Sequence, residues 1–273
     1  MKILKMQVSL SKNILVCSIV CSMLKITSGV ANANIFYDFG DGLPSDAIFI
    51  QELLPTLPDD PNFDYEPIIE TLPNGNNVLR LGDKNNTSAE NGGAATSSLL
   101  NPNISFANVK VSAELNSDGD TNDRFLLLAR TNLDTFDTYS FGIDFETDQI
   151  LLRKIVGGVI DTPLVQESVA LDQNTTYFAE FTVIGNELTG SLFDETSTNL
   201  LSEISFFDND PLAPGVTGIS TDISDGFLPQ GNDINNGTID NFSAMSVPEP
   251  SSIFGILMVG ALANKISRRK WSK

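Results

Sequence analysis

The chain has 273 residues, with 16 Lys and Arg against 35 Asp and Glu, no histidine and two cysteines. Residues 1–33 and 248–273 contain nine of the bases and one acid, so residues 34–247 contain 7 bases and 34 acids, a net charge of −27. This negative field repels nucleic acid and anionic membranes, so nucleic-acid binding is excluded as a function.

The two cysteines, Cys17 and Cys21, lie near the N-terminus, so residues 34–273 contain neither cysteine nor histidine. This composition excludes disulfides, thiolate nucleophiles, Cys/His zinc sites and any catalytic histidine in that part of the chain. Two kinds of site remain possible: a catalytic site that uses carboxylates alone, and a Ca²⁺ site with oxygen ligands.

The N-terminal segment has the features of a secretory signal. A lysine-bearing start precedes an apolar stretch at 14–24, and Ala31 and Ala33 form a small-x-small pattern that suits a signal peptidase. The alternative is a retained membrane anchor, but the apolar stretch is shorter than the roughly 20 residues of a stable span. We therefore predict that residues 1–33 are a cleaved signal peptide and that the protein is exported.

Residues 34–246 are predicted to form one all-β domain. Apolar residues alternate with polar ones at 109–116 and at 139–146, which predicts two half-buried strands. Further predicted strands are 35–39, 77–81, 124–131, 149–156, 164–170, 176–184, 187–193, 200–206, 216–221 and 238–245. Gly157-Gly158 and Gly185-Asn186 are predicted tight turns, and short strands joined by brief turns favour an antiparallel two-sheet β-sandwich.

Two stretches lack strand periodicity. Residues 52–76 contain five prolines, and residues 83–95 are polar and rich in glycine. Proline removes backbone donors from a sheet, so both stretches are predicted to be surface loops.

The stretch from NVLRLGD (77–83) to GTIDNFSAM (237–245) resembles the concanavalin A-like lectin/glucanase and laminin-G-like jelly rolls. The resemblance implies that the closing strand, 238–245, lies beside the first strand, 35–39. It also implies glycan binding or a structural interaction as the function, with a carbohydrate-active enzyme as the alternative.

Glycoside hydrolases of that fold place acids on one strand in the pattern E-x-D-x-x-E. Asp144, Glu146 and Asp148 approach this pattern, but Leu151 stands where the second catalytic carboxylate would be required. We therefore interpret this segment as a solvated turn and predict that the protein is not an enzyme.

A candidate Ca²⁺ site lies at Asp118, Asp120, Asn122 and Asp123, which offer oxygen ligands at close spacing. The segment is not an EF-hand loop, and the alternative is a polar hairpin between two strands. Asp38 and Asp240, on the first and last strands, form a second candidate pair for the same cation.

Aromatic platforms for sugars are scarce in the sequence. The only tryptophan is Trp271, near the C-terminus. Tyr37, Tyr139 and Tyr177 lie on apolar strand faces and are predicted to be core residues, whereas Tyr65, in the proline-rich stretch, is the exposed candidate.

The C-terminal segment 247–273 begins with Val247, Pro248, Glu249 and Pro250, continues with an uncharged run at 253–263, and ends in basic residues. It resembles the PEP-CTERM sorting signal in all three parts and in their order. The resemblance implies retention by the membrane and cleavage by an exosortase-type protease at the surface of exopolysaccharide-producing bacterial cells in a biofilm. A plain tail anchor is the alternative, with a span of marginal length.

Overall fold

The computed structural model describes residues 33–51, 67–81, 95–117, 124–159, 162–223 and 237–248. These residues form fifteen β-strands and no helix, within one compact unit, Ala33–Val247. Over the same ranges, no helix has the length and apolar character needed to cross a membrane. The strands are β1 Asn34–Tyr37, β2 Ile48–Gln51, β3 Ile68–Thr71, β4 Asn77–Arg80, β5 Ala95–Phe106, β6 Val109–Asn116, β7 Arg124–Thr131, β8 Thr138–Asp144, β9 Gln149–Ile155, β10 Val165–Ser168, β11 Thr176–Ile184, β12 Glu187–Phe193, β13 Leu200–Phe207, β14 Gly215–Ile223 and β15 Thr238–Ser246.

The strands form two antiparallel sheets. The eight-stranded sheet has the order β13-β12-β11-β6-β15-β4-β3, with β1 also paired to β15, and the seven-stranded sheet has the order β10-β9-β8-β7-β14-β5-β2. The predicted all-β, two-sheet sandwich is therefore confirmed. The predicted pairing of first and closing strands is confirmed as well, with Tyr37 opposite Phe242 and Asn34 opposite Met245.

The core lies between the sheets and consists of side chains at alternate strand positions. In β11 the burial pattern alternates along the strand, with Tyr177 and Phe181 facing inward, as a strand with one solvated face requires. Phe141, from the seven-stranded sheet, meets Phe181 with ring centroids 6.2 Å apart. The sheets thus meet through interdigitated apolar side chains, which supply the main stabilisation of the domain.

Two predicted turns are confirmed by their backbone angles. Gly157 and Gly158 have φ of 60° and 70°, and Gly185, between β11 and β12, has φ of 58°. Positive φ favours glycine, which is why these positions allow tight reversals.

Three predictions about strands require correction. The stretch 52–76, predicted as loop, contains β3, and the strands β2 and β5 were not predicted. The run at 139–146 was predicted to be half buried, but β8 is buried at every position, because its outward-facing side chains are buried as well as those that face the core.

Candidate functional site

A row of polar side chains crosses the outer face of the eight-stranded sheet. Register places Arg80 and Asn116 on either side of Thr238, and Thr176 opposite Asn116. The alternation of β6 and β15 explains the row, because Leu115 and Ile239 turn inward at the intervening positions. A second row, one pair of residues further along, contains Asp240, Glu114 and Phe178.

These rows form part of a cavity of about 300 Å³. It is bounded on one side by the turn between β3 and β4, in which Gly75 has φ of 86°. The residues that line the cavity are Leu72, Asn74, Asn76, Val78, Arg80, Glu114, Asn116, Thr176, Thr238 and Asp240. Amide, hydroxyl, carboxylate and guanidinium groups therefore converge on one concave surface.

Hydrogen bonds fix the polar groups of this cavity. Asp240 is only 9% exposed, and its Oδ2 accepts a hydrogen bond from Asn76 Nδ2 at 2.7 Å. Its Oδ1 accepts from the backbone N–H of Asn241 at 2.7 Å, where an irregularity in the pairing of β15 with β6 begins. Such an irregularity re-aims a side chain and often lies beside a functional site.

Two further pairs complete the lining. Arg80 is 5% exposed, and its Nη2 and Nε lie 2.7 Å and 2.9 Å from Glu70 Oε2. Asn116 Nδ2 donates to Thr176 Oγ1 at 2.9 Å. Because the side chains are already held by protein partners, a ligand would meet donors and acceptors in fixed positions.

An aromatic pair lies beside the cavity on the same face. Phe178 follows Glu114 in the second row, and it pairs across the strands with Phe193. Their ring centroids are 6.0 Å apart, and both side chains are half-buried. The cavity and the pair together present hydrogen-bonding groups next to an apolar surface, a combination typical of small-molecule sites.

The structure describes a second cavity, of about 340 Å³, formed by β1 and the loop that follows it. Beneath it, Asn101 Nδ2 donates to Tyr37 Oη at 2.7 Å, and Tyr37 Oη donates to Asp46 Oδ1 at 3.1 Å. Burial raises the pKa of Tyr37 to about 12. This network anchors the loop to the sheet, so we assign it a structural role.

The candidate acids at the β8–β9 turn have protein partners. Asp144 Oδ2 lies 2.6 Å from Arg124 Nη2, and Asp144 Oδ1 accepts the backbone N–H groups of Glu146 and Thr147. Glu146 Oε2 lies 3.8 Å from the same Arg124 nitrogen. Asp148 Oδ1 accepts from the backbone N–H of Leu171 at 3.2 Å. Residues 145–148 form a turn, as interpreted, but the interpretation of Asp144 as solvated is wrong: Asp144 is 3% exposed, ends β8 and holds the turn through its contacts.

The two acids proposed as a Ca²⁺ pair line different cavities. Asp38 lines the loop cavity and accepts a hydrogen bond from Gly40 N, whereas Asp240 lines the cavity on the eight-stranded sheet. Within the described ranges no group of three or more acids is arranged to hold a metal ion. The first Ca²⁺ candidate, Asp118 to Asp123, lies outside the described residues and stays a prediction.

The predictions about tyrosines can be compared with burial. Tyr37, Tyr139 and Tyr177 are buried in the core, as predicted. Tyr65 and Trp271 lie outside the described residues, as do Ala31, Glu249 and Pro250. Ala33, Val247 and Pro248 are described, and they lie where the chain enters and leaves the sandwich.

Sequence reasoning missed the cavity on the eight-stranded sheet and the Phe178–Phe193 pair. The signal was present in the outward positions of the predicted strands at 77–81, 109–116 and 238–245. It could be interpreted only once the order of the strands in the sheet was known.

A scan with protein-family models finds no match, and a search of curated proteins finds none either. Among solved structures, the basic winged bean lectin with Tn-antigen is similar, with a TM-score of 0.55 and 12% identity, over 80% of this chain and 99% of that chain. The winged bean acidic lectin complexed with methyl-alpha-D-galactose has a TM-score of 0.51 and 9% sequence identity, over 80% of this chain and 100% of that chain. The exoplasmic/lumenal domain of VIP36, in its Ca²⁺/Man3GlcNAc-bound form, has a TM-score of 0.50 and 13% sequence identity, over 76% of this chain and 86% of that chain. At these identities the likeness establishes the fold, which is the legume-lectin-like, concanavalin A-like β-sandwich.

Proposed function

We propose that the protein is an exported, non-catalytic glycan-binding protein that uses the cavity on the outer face of the eight-stranded sheet. The observation that carries this proposal is the convergence of Asn76, Arg80, Glu114 and Asp240 on one cavity beside an aromatic pair. Sugar hydroxyls both donate and accept hydrogen bonds, so they suit a mixed set of amide, guanidinium and carboxylate groups. The apolar faces of sugar rings suit aromatic side chains.

The extent of this surface favours a glycan chain over a single sugar. Four strand spacings separate Arg80 on β4 from Phe193 on β12, and neighbouring strands are about 4.8 Å apart, so the surface spans about 19 Å. The solved structures of similar fold support the proposal, because two winged bean lectins and VIP36 are described as bound to sugars.

A glycan array probed with the protein tests this function, followed by titration of any hit against variants. Removing a hydrogen-bonding group from a buried site costs about 1–3 kcal/mol, so Asp240→Ala and Glu114→Ala should each weaken binding by about 10- to 100-fold. Glu187→Ala is the matched control, because Glu187 is an exposed acid on β12 of the same sheet. An array without binders, or equal loss in all three variants, would contradict the proposal.

The proposal that the protein is not a hydrolase rests on the contacts of Asp144. Protein donors engage both of its oxygens, and Arg124 lies between Asp144 and Glu146, so neither acid faces a free partner across a cleft. The test is hydrolysis of the glycans that bind. A turnover that Asp144→Asn or Glu146→Gln abolishes would restore the alternative, a glycoside hydrolase that uses carboxylates alone.

Export and sorting are proposed on the sequence alone. The signal at 1–33 and the PEP-CTERM-like segment at 247–273 support delivery to the cell surface or extracellular matrix, with an exosortase-type protease as the processing partner. Mass spectrometry of the protein from its native envelope would reveal the processed ends. An intact C-terminus at Lys273 would favour the plain tail anchor.

A further inference from the structure

Two acids lie directly opposite each other in the cavity on the eight-stranded sheet. Register pairs Asp240 of β15 with Glu114 of β6, and both residues line the cavity. Side chains opposite each other on one face of a sheet have Cβ atoms about 4.5–5.5 Å apart, and like charges in such a pair destabilise the sheet. The pair therefore costs stability, and the fold alone gives no reason for it.

The donors around this acidic pair are neutral. Asp240 accepts hydrogen bonds from the side-chain amide of Asn76 and from the backbone N–H of Asn241. No Lys or Arg among the described residues forms an ion pair with Glu114 or Asp240. Other acids of the same face have partners on neighbouring strands, and these pairs are Glu180 with Lys110, Glu203 with Ser191 and Glu70 with Arg80. The cavity thus contains two carboxylates whose charge no described base compensates.

The side chain of Thr238 supplies a third acceptor to the same cavity. Thr238 is 7% exposed and lines the cavity, two residues before Asp240 on β15. Within the described ranges its hydroxyl has no hydrogen-bond partner. Buried hydroxyls are normally hydrogen-bonded, so this one is available to a ligand.

We propose that the glycan of this cavity carries a protonated amine, as a de-N-acetylated amino-sugar polymer does, and that Glu114 and Asp240 bind the ammonium group. The ammonium site depends on the proposed function, because it specifies the class of sugar that the cavity binds. An ammonium group has three N–H donors and no acceptor, which matches two carboxylates and the Thr238 hydroxyl. Hydrogen bonds between ionised groups are roughly twice as strong as neutral ones, and the positive charge also removes the repulsion between the two acids.

The charge of the domain disfavours the opposite class of glycan. Residues 34–247 have a net charge of −27, and Arg80, a base that lines the cavity, already pairs with Glu70. A uronate or sulfate group would therefore bring a further negative charge beside two carboxylates. A neutral sugar would form hydrogen bonds but would leave the repulsion between Glu114 and Asp240 in place.

The aromatic pair beside the cavity favours an amino sugar over a free polyamine. Phe178 lies opposite Glu114 on the next strand, and its ring centroid is 6.0 Å from that of Phe193. A sugar ring has an apolar face that can pack on these rings while its amine contacts the acids. A polyamine has no ring and uses only the carboxylates.

Calorimetric titration of the full chain with matched probes tests the ammonium site. The probes are a tetramer of glucosamine, its fully N-acetylated counterpart, a tetramer of galacturonic acid, and spermidine. NaCl at about 0.15 M limits the Debye length to about 8 Å and so screens the more distant acids, and EDTA removes divalent cations. We expect the glucosamine tetramer to bind about 10-fold more tightly than the N-acetylated tetramer, because charge-assisted hydrogen bonds replace neutral ones. Spermidine should bind more weakly than the glucosamine tetramer, and the galacturonic acid tetramer should not bind.

Two variants separate the site from the total charge. Glu114→Gln keeps the size of the side chain and removes one carboxylate, so the glucosamine tetramer should bind about 10-fold more weakly and the N-acetylated tetramer almost as before. Glu187→Gln removes the same charge from an exposed position on β12 and should change neither affinity. Without ligand, Glu114→Gln should not lower the melting temperature, because it relieves the repulsion with Asp240.

Four results would overturn the ammonium site: equal or tighter binding of the N-acetylated tetramer, equal losses in Glu114→Gln and Glu187→Gln, spermidine binding as tight as that of the glucosamine tetramer, or binding that requires Ca²⁺. The last result would mean that the acids hold a metal ion. None of the four contradicts glycan binding by the cavity. That function fails if no glycan binds, either on the array or in these titrations.

Discussion

Gly190 permits a close approach between the two sheets. It lies on the inner face of β12, and a Cβ added there would lie 2.2 Å from Cδ2 and 2.5 Å from Cε2 of Phe141. Phe141 is 0% exposed and lies within the core, so its ring has little room to move. The position therefore requires glycine because of packing, and not because of its backbone angles.

We predict that Gly190→Ala lowers the free energy of unfolding by about 1–3 kcal/mol, the usual cost of overpacking a core. Urea unfolding measures the change, and Thr189→Ala, at the half-buried neighbouring position, is the control. Combining Gly190→Ala with Phe141→Leu should recover part of the loss, since the two positions are in contact. If the double variant lost the sum of the two single-variant free energies of unfolding, the contact between position 190 and Phe141 would not be the cause of the destabilisation.

Asp208 is a buried acid whose charge is stabilised by its neighbours. Burial alone would raise its pKa, but the hydrogen bond from Tyr139 Oη at 2.6 Å and Lys154 Nζ at 2.9 Å outweigh burial and lower the pKa below the ordinary 3.8. A carboxyl whose folded-state pKa is depressed stabilises the fold above its unfolded-state pKa. That stabilisation is lost as the pH falls through the folded-state value.

We therefore predict that Asp208→Asn destabilises the protein at about pH 7 and that its difference from wild type shrinks at about pH 3. Urea titrations at the two pH values measure both effects. Asp134→Asn, at an exposed position in the β7–β8 turn, should show neither. A difference for Asp208→Asn that is the same at both pH values would mean that shape and not charge matters at this site.

At the scale of elements, Arg130 joins three turns at one end of the sandwich. Its Nε, Nη1 and Nη2 donate to the backbone oxygens of Ala107, Leu212 and Gly185 at 2.8, 3.0 and 2.8 Å. These oxygens belong to the turns after β5, β13 and β11. Arg130 itself has φ of 54°, a left-handed conformation that costs energy for a residue with a side chain.

We predict that Arg130→Met destabilises the fold by about 3 kcal/mol, because three partly buried hydrogen bonds from the charged guanidinium to backbone oxygens are lost. Chemical denaturation measures the loss. Arg130→Gly separates the two effects, since glycine adopts φ of 54° without strain but lacks the guanidinium. A glycine variant more stable than wild type would show that backbone strain outweighs the hydrogen bonds.

Three strands were predicted with their full bounds, and two of them, β11 and β12, bury one face, whereas β7 is buried at every position. The predicted bounds of β7, β11 and β12 agree with the structure, and in β11 and β12 a polar outer face accompanies the apolar core residues. β2 and β3 are four residues long, too short for a clear period, and β3 lies next to the proline-rich stretch. β5 contains Pro102, which lies where the register between β5 and β14 shifts. The pairing needs no backbone N–H at that position, so a proline can lie within the strand and does not mark a loop there.

The candidate site could not be derived in the same way. Asn76, Arg80, Asn116 and Asp240 come from distant parts of the chain, and they meet only because β15 lies between β4 and β6. Alternation predicts which side chains point outward, but strand order decides which of them become neighbours. The pairing of β1 with β15 was predictable only through the resemblance to a known fold.

At the scale of the whole molecule, the sandwich has two unlike outer faces. The eight-stranded sheet presents cross-strand polar pairs, such as Lys110 with Glu180 and Ser191 with Glu203, and this face suits water and polar ligands. The outer positions of the seven-stranded sheet are mostly leucine, serine and glycine, with Arg153 opposite Ser140. The two outer faces therefore differ in chemistry, with the core between them.

The net charge of −27 between residues 34 and 247 gives the last prediction. Folding brings these acids together, and salt screens their repulsion over a Debye length that falls from about 30 Å at 0.01 M to about 8 Å at 0.15 M. We expect the melting temperature to rise with NaCl over that range. This rise is a property of total charge and requires no specific site.

Ca²⁺ should act in addition to screening if Asp118, Asp120, Asn122 and Asp123 bind it. At equal ionic strength CaCl₂ should then raise the melting temperature more than MgCl₂, because a ligand at 100 times its Kd stabilises the folded state by about 2.7 kcal/mol. The double variant Asp118→Asn, Asp120→Asn should lose the difference between the two cations and keep the response to NaCl. Equal melting temperatures in CaCl₂ and MgCl₂ would refute the predicted site, since total charge responds to both divalent cations alike.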